Sequence, residues 1–182
     1  LLDRVVNMME EGVEVGVRIG ALPDSSMRAV RVGHVKRVLC ASPEYLAQHG
    51  IPQQPEDLHQ HHIVAASGVT PTIDWKFGEG ASSNASANIS PSTIRIKPRL
   101  TVTTNDAAIM AVKHGAGITR LLSYQVAHHL QSGALKTVLS EYEPAPLPIH
   151  IVHREGRDGS AKIRSFVDFM AQALRGHTAL QM

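Results

Sequence analysis

The chain has 182 residues, 43% hydrophobic and 19% charged, with a formal net charge of +2. That is enough apolar chain for one large domain or two small lobes, and the scattered basic residues give no argument for a nucleic-acid-binding face. A single cysteine excludes an internal disulfide and favours a reducing compartment, and no apolar stretch approaches the roughly 20 residues that cross a bilayer.

Leu1, Leu2, Val5, Val6 and Met9 recur at helical spacing, so residues 1–11 read as the end of a helix closed by Gly12, in a piece of something longer with no signal peptide. Val13, Val15, Val17 and Ile19 alternate as a strand. Gly20 to Ser26 is a loop, followed by two β-like runs, Ala29 to Val32 and Val35 to Cys40, separated by Gly33. Cys40 lies in the apolar run VLCA and is expected to be a small buried hydrophobe rather than a reactive thiol. Ser42, Pro43 and Glu44 carry the three signals of a helix start: an N-cap oxygen, a first-turn proline and a carboxylate at the positive end. Gly50 stops that helix and Ile51-Pro52 prevents it from resuming.

Residues Pro52 to Asp57 are prolyl and polar, and His61 to Ala66 reads as a strand. Ile73 to Phe77 holds the only tryptophan, Trp75, in an aromatic strand pattern. Gly78 to Thr93 is a low-complexity hairpin connection whose two Asn-x-Ser matches are read as chance. From Ile94 the order is strand to Thr103, helix capped by Thr104-Asn105-Asp106 to His114, strand Gly117 to Leu122, helix capped by Ser123 to Gln131, and strand Leu135 to Leu139. That β-α-β-α-β run predicts a parallel sheet covered by helices. Pro144, Pro146 and Pro148 mark a stiff link into the strand Ile149 to Val152. A final helix from Ser160 to Arg175 places Ile163, Phe166, Val167, Met170 and Leu174 on one stripe.

Catalytic motifs are missing: there is no G-x-S-x-G, phosphate-loop lysine, H-E-x-x-H, C-x-x-C or post-strand G-x-G-x-x-G. His59, His61 and His62, and the pair His128-His129, lack the spaced carboxylate or thiolate partners of a zinc site and read as surface histidines, with no metal and no cofactor expected. Three capped strand-to-helix turns, at Ser42, Thr104-Asn105 and Ser123, are expected to place free backbone N–H groups at the carboxyl edge of a sheet, where open α/β sheets bind ligands. Thr103 adds a hydroxyl there, and Arg18 and Arg120 near strand ends could neutralise a carboxylate.

The ordered set RIG at Arg18, LCASPEYLAQHGIP from Leu39, PEDLHQH from Pro55, Trp75-Lys-Phe77, PRLTVTTND from Pro98, GAGITRLLSYQVAHHLQSGALKTVL from Gly115 and FVDFM from Phe166 resembles the effector-binding domain of LysR-type transcriptional regulators. It departs at Glu14, where the family often has Asp, and at Leu122-Ser123, where the family often has a proline. The resemblance implies an α/β fold of two Rossmann-like lobes of the periplasmic-binding-protein type joined by two crossover strands. Residues 1–41 with 149–182 would form the first lobe, incomplete at its start, and 42–148 the second. It implies an interlobe cleft lined by Arg18, Ile19, Gly20, Ser42, Pro43, Ser67, Thr103, Asn105, Thr119 and Arg120. The expected function is a cytoplasmic, ligand-sensing, non-enzymatic domain that binds a small polar or anionic metabolite and acts through a homodimer or homotetramer. DNA would be bound only through an N-terminal helix-turn-helix outside this sequence. A free-standing solute-binding protein of the same fold is the alternative.

Overall fold

The computed structural model describes residues 8, 10–22, 27–66, 73–78, 90–154 and 161–181. In chain order the strands are β1 (Val15–Ile19), β2 (Met27–Val35), β3 (Arg37–Ala41), β4 (Val64–Ala66), β5 (Asp74–Phe77), β6 (Ser92–Arg95), β7 (Leu100–Val102), β8 (Thr119–Leu122), β9 (Lys136–Val138) and β10 (Leu147–Arg154). The helices are α1 (Pro43–His49), α2 (Asn105–Lys113), α3 (Ser123–Gln131) and α4 (Ala161–Arg175), with short 3-10 turns at Pro55–Gln60, Ser140–Tyr142 and Thr178–Leu180. The chain forms two compact units, one of Lys36–Ala145 and the other from Val5–Val35 with Pro146–Met182. Of the helix expected over residues 1–11 only Met8, Glu10 and Glu11 are described, and they lie in a turn; its remainder and the body of the Gly78 to Thr93 connection lie outside the described residues.

In the Lys36–Ala145 unit, β4 and β7 pair in parallel, Ile63 and Ile118 bridge in parallel, and β3 pairs antiparallel with both β8 and β9. β7, β8 and β9 therefore run one way, as the β-α-β-α-β pattern requires, but β3 enters between β8 and β9 in the opposite direction. The purely parallel expectation is corrected: a strand far back in sequence occupies the gap. With a neighbour on each side, β3 is apolar on both faces, which explains a continuous run where a half-exposed strand would alternate. Leu39 and Ala41 join the cluster capped by Trp75, Phe77 and Ile94 of the β5–β6 hairpin. Val38 and Cys40 join the one formed with Ala108, Ile109 and Val112 of α2 and Val126 of α3.

The other unit is a three-stranded antiparallel sheet in the order β1-β10-β2. Gly33 does not split β2, which runs through it; the position needs glycine because the Leu180 carbonyl approaches so closely that a Cβ there would collide. Val167 and Ala171 are the buried residues of α4, while Phe166 is 48% exposed, so only part of the expected stripe is covered. The strand β3, expected to close the first lobe, instead has both its hydrogen-bonded neighbours within Lys36–Ala145.

Gly117 permits the parallel bridge between Ile63 and Ile118. Its φ is +145°, and a Cβ on it would strike the His62 carbonyl, which accepts the Ile118 N–H at 2.8 Å. Gly117→Ala is expected to lower stability by about 2 kcal/mol or more, read as a fall in the urea midpoint, because it combines a disfavoured φ with a backbone clash.

Candidate functional site

The direction of β3 decides which expected site residues share an edge. Thr103 and Asn105 follow β7, at the edge where β8 ends in Leu122 and β3 begins at Arg37, since Arg37 pairs with Leu122. Ser42 and Pro43 follow β3, and Cys40 pairs with Thr119 at the start of β8. Ser42, Pro43 and Thr119 therefore lie at the opposite edge, roughly 13 Å away along four residues of strand. The idea that all three strand-to-helix turns share one carboxyl edge is corrected: β3 is antiparallel, so its own carboxyl end is the sheet's other margin. Ser67 lies outside the described residues. Arg18, Ile19 and Gly20 belong to the other unit, where Arg18 pairs with His150 across β1 and β10 and the Gly20 N–H donates to the Pro148 carbonyl.

Two caps take the expected form. The Ser42 hydroxyl accepts the Tyr45 N–H, and the Thr104 hydroxyl accepts the Ala107 N–H, each at 3.2 Å. Ser123 does not cap α3. It is the first helical residue, and the Leu122 N–H donates to the Gln125 side chain instead. The Ser123 hydroxyl accepts the Lys36 N–H at 3.2 Å, while its own N–H donates to the Lys36 carbonyl at 2.9 Å. This two-bond clamp fixes where the chain enters the unit. Nearby, Lys36 Nζ lies 3.9 Å from Glu143.

At the carboxyl edge Thr103 is exposed and Asn105 half-buried. One pleat inward on β8, Arg120 stacks on the buried Trp75 ring at 4.7 Å from its centroid. Burial first, and the neighbouring Arg37 charge second, bring the Arg120 guanidinium down to about 10. The buried Thr119 hydroxyl has no partner among the described residues. Cys40 is fully buried, and burial pushes its thiol up to about 12, so it behaves as the apolar residue its context predicted.

The opposite edge holds a cluster that sequence spacing did not show. The buried Tyr45 hydroxyl accepts the His62 N–H at 2.9 Å and lies 3.2 Å from His61 Nδ1, while the Tyr45 and His49 rings stack at 4.3 Å. Arg99 Nη1 stands 2.6 Å from His62 Nε2. His61 and His62 are half-buried rather than surface residues, and they join Tyr45 from sixteen and seventeen positions away. Only the repetition of ring residues in EYLAQH and LHQHH offered a signal. Among the described residues no group of three or more His, Cys, Asp or Glu could hold a metal.

The mixed α/β chain in two compact units has the periplasmic-binding-protein-like two-lobe fold of the regulatory domains that it matches. The chain belongs to the LysR substrate-binding domain family, whose model matches residues 2–175. It is 31% identical, over 95% of its length and 56% of the relative's, to the uncharacterized HTH-type transcriptional regulator YhjC of Escherichia coli K12. It is also 31% identical, over 82% of its length and 46% of the relative's, to the HTH-type transcriptional activator AaeR of the same organism. Among solved structures it matches the full-length Vibrio cholerae virulence activator AphB at TM-score 0.76 and 27% identity, covering 92% of this chain and 54% of that one. The CrgA regulatory domain of Neisseria meningitidis matches at TM-score 0.71 and 27% identity, covering 93% and 79%. The chain spans about half the length of the curated relatives it matches. It is thus an effector-binding domain of a regulator family, not a member of an enzyme family.

Burial first, then neighbouring groups, holds His61 and His62 below the ordinary histidine range: the Coulomb influence of His49 adds to burial at His61, and that of Arg99 and then His49 at His62. A depressed folded-state pKa means that the unfolded chain takes up protons first. Stability is therefore full above the unfolded histidine pKa of about 6.5 and is lost as pH falls below it. The urea midpoint is expected to drop between pH 7.5 and 5, and His61→Gln to reduce the drop. Tyr45→Phe is expected to cost about 1–3 kcal/mol at neutral pH in the same assay, because it strands the His62 N–H.

Proposed function

We propose that the chain is the ligand-sensing part of a bacterial transcriptional regulator and binds a small polar or anionic metabolite at the carboxyl edge of β4, β7 and β8, with Thr103 and Asn105 among its contacts. The family match across residues 2–175 carries this reading. That edge supports it: the parallel strands end there together, and Thr104 fixes the start of α2 beside them. The regulator works in the cytoplasm as a homodimer or homotetramer and touches DNA through a helix-turn-helix of the kind its relatives' names declare. No helix among the described residues is long and apolar enough to cross a membrane. A metabolite changes such a regulator only through its difference in affinity between two arrangements of the protein. A free-standing solute-binding protein is disfavoured, since the relatives are transcriptional regulators.

A thermal-shift screen against carboxylates, amino acids, aromatic acids and uncharged metabolites tests the reading. A true effector is expected to raise the midpoint in a concentration-dependent way, by about 2.7 kcal/mol of stabilisation at a hundred times its dissociation constant, and Asn105→Ala to suppress the shift. Turnover of any of these compounds, or a tight salt-sensitive complex of this chain alone with operator DNA, counts against the reading.

A further inference from the structure

We propose that Arg120 is a carboxylate receptor: its guanidinium, stacked on Trp75 one pleat below the carboxyl edge of β8, pairs with an acidic group of the effector. The inference rests on the sensor reading and names the chemical class sensed.

Arg120 combines three features that a structural arginine seldom shows together. Its guanidinium carbon lies 4.7 Å from the centroid of the Trp75 ring, and that ring is itself 4% exposed, so one face of the cation is shut off from water. Among the described residues no carboxylate forms an ion pair with it and no acceptor receives a hydrogen bond from it. The neighbouring charge that acts on it is another cation, Arg37, which shares its sheet face two register positions closer to the edge.

A guanidinium presents five N–H donors in a rigid plane, and desolvating it without an anion costs more than a cation–π contact returns. The fold elsewhere avoids that cost. The half-buried Glu143 carboxylate has Lys36 within 3.9 Å. Arg120 is left half-buried, with donors that no acceptor among the described residues takes and a like-charged neighbour, and an incoming carboxylate completes this arrangement by replacing water with two parallel N–H···O bonds. Its position suits that task. Arg37 faces Leu122 at the end of β8, at the edge that also carries Thr103 and Asn105, and Arg120 is the next residue inward on the same face. An acid entering from that edge meets Arg37 first and Arg120 behind it.

Trp75 is the only tryptophan, so its fluorescence reports directly on what happens at Arg120. The 182-residue chain is titrated with benzoate, succinate and inorganic phosphate, and with benzamide and succinamide as uncharged counterparts, following Trp75 emission and thermal unfolding. A saturable response to a carboxylate but not to its amide is expected, weakened roughly ten- to a hundredfold in Arg120→Met. Arg120→Lys, which keeps the charge and loses the fork, is expected to fall between the two. Without ligand, Arg120→Met is expected to melt at or above the parent temperature, since it removes an uncompensated cation. Carboxylate binding unchanged in Arg120→Met, or a response confined to the amides, overturns the inference and leaves the sensor reading standing. A response to phosphate alone overturns the carboxylate class. Silence of every anion, or a lowered unliganded melting temperature in Arg120→Met, marks the arginine as structural and also overturns it.

Discussion

The insertion of β3 between β8 and β9, against their direction, is the constraint on which the rest of the Lys36–Ala145 unit depends. A strand with hydrogen-bonded neighbours on both sides and packing on both faces has no water-facing side, so Val38, Leu39, Cys40 and Ala41 are all buried. The strand is held at its start by the reciprocal bonds of Lys36 with Ser123 and followed at its end by the Ser42 cap of α1. Its side chains feed two separate cores, one under the β5–β6 hairpin and one under α2 and α3.

Because β3 runs backwards, the sheet acquires two margins of different character. The margin where β8 ends has hydroxyl and amide groups at Thr103 and Asn105 and the cations Arg37 and Arg120, without a paired acid among the described residues. The margin where β8 starts has Tyr45, His49, His61, His62 and Arg99 in mutual contact. Each margin concentrates groups that resist further positive charge, for opposite reasons. Arg120 cannot lose its proton near neutral pH and so favours an anion, whereas His61 and His62 can stay neutral and so tolerate their neighbours.

The family relationship and the geometry answer different questions. Membership in the LysR substrate-binding family places the chain among sensor modules and accounts for the two-unit α/β arrangement. It does not dictate a guanidinium on an indole beside a second arginine. A charged group held without a protein counter-ion is a costly feature for a fold to keep.

Much of the local structure was legible without coordinates. The Ser42-Pro43-Glu44 start and Gly50 stop of α1, the Thr104 cap of α2, the presence of strand β1 and the burial of Cys40 all follow from interactions within a few residues, which sequence spacing encodes directly, although Val17 and Ile19 of β1 are exposed. The ordered motifs also carried the family. The direction of β3, the diversion of the Ser123 hydroxyl to Lys36, the gathering of His61 and His62 around Tyr45 and the stacking of Arg120 on Trp75 were not legible. Each joins residues that are distant in sequence, and an apolar run reads the same whichever way its strand points. The sequence by itself therefore determined where most helices and strands form and what family they serve, but not that β2 runs through Gly33 or that the run from Ile94 to Thr103 divides into β6 and β7 in different sheets. Only tertiary pairing decided which margin each polar side chain reaches, because hydrogen-bonded register between strands, not spacing along the chain, sets those positions.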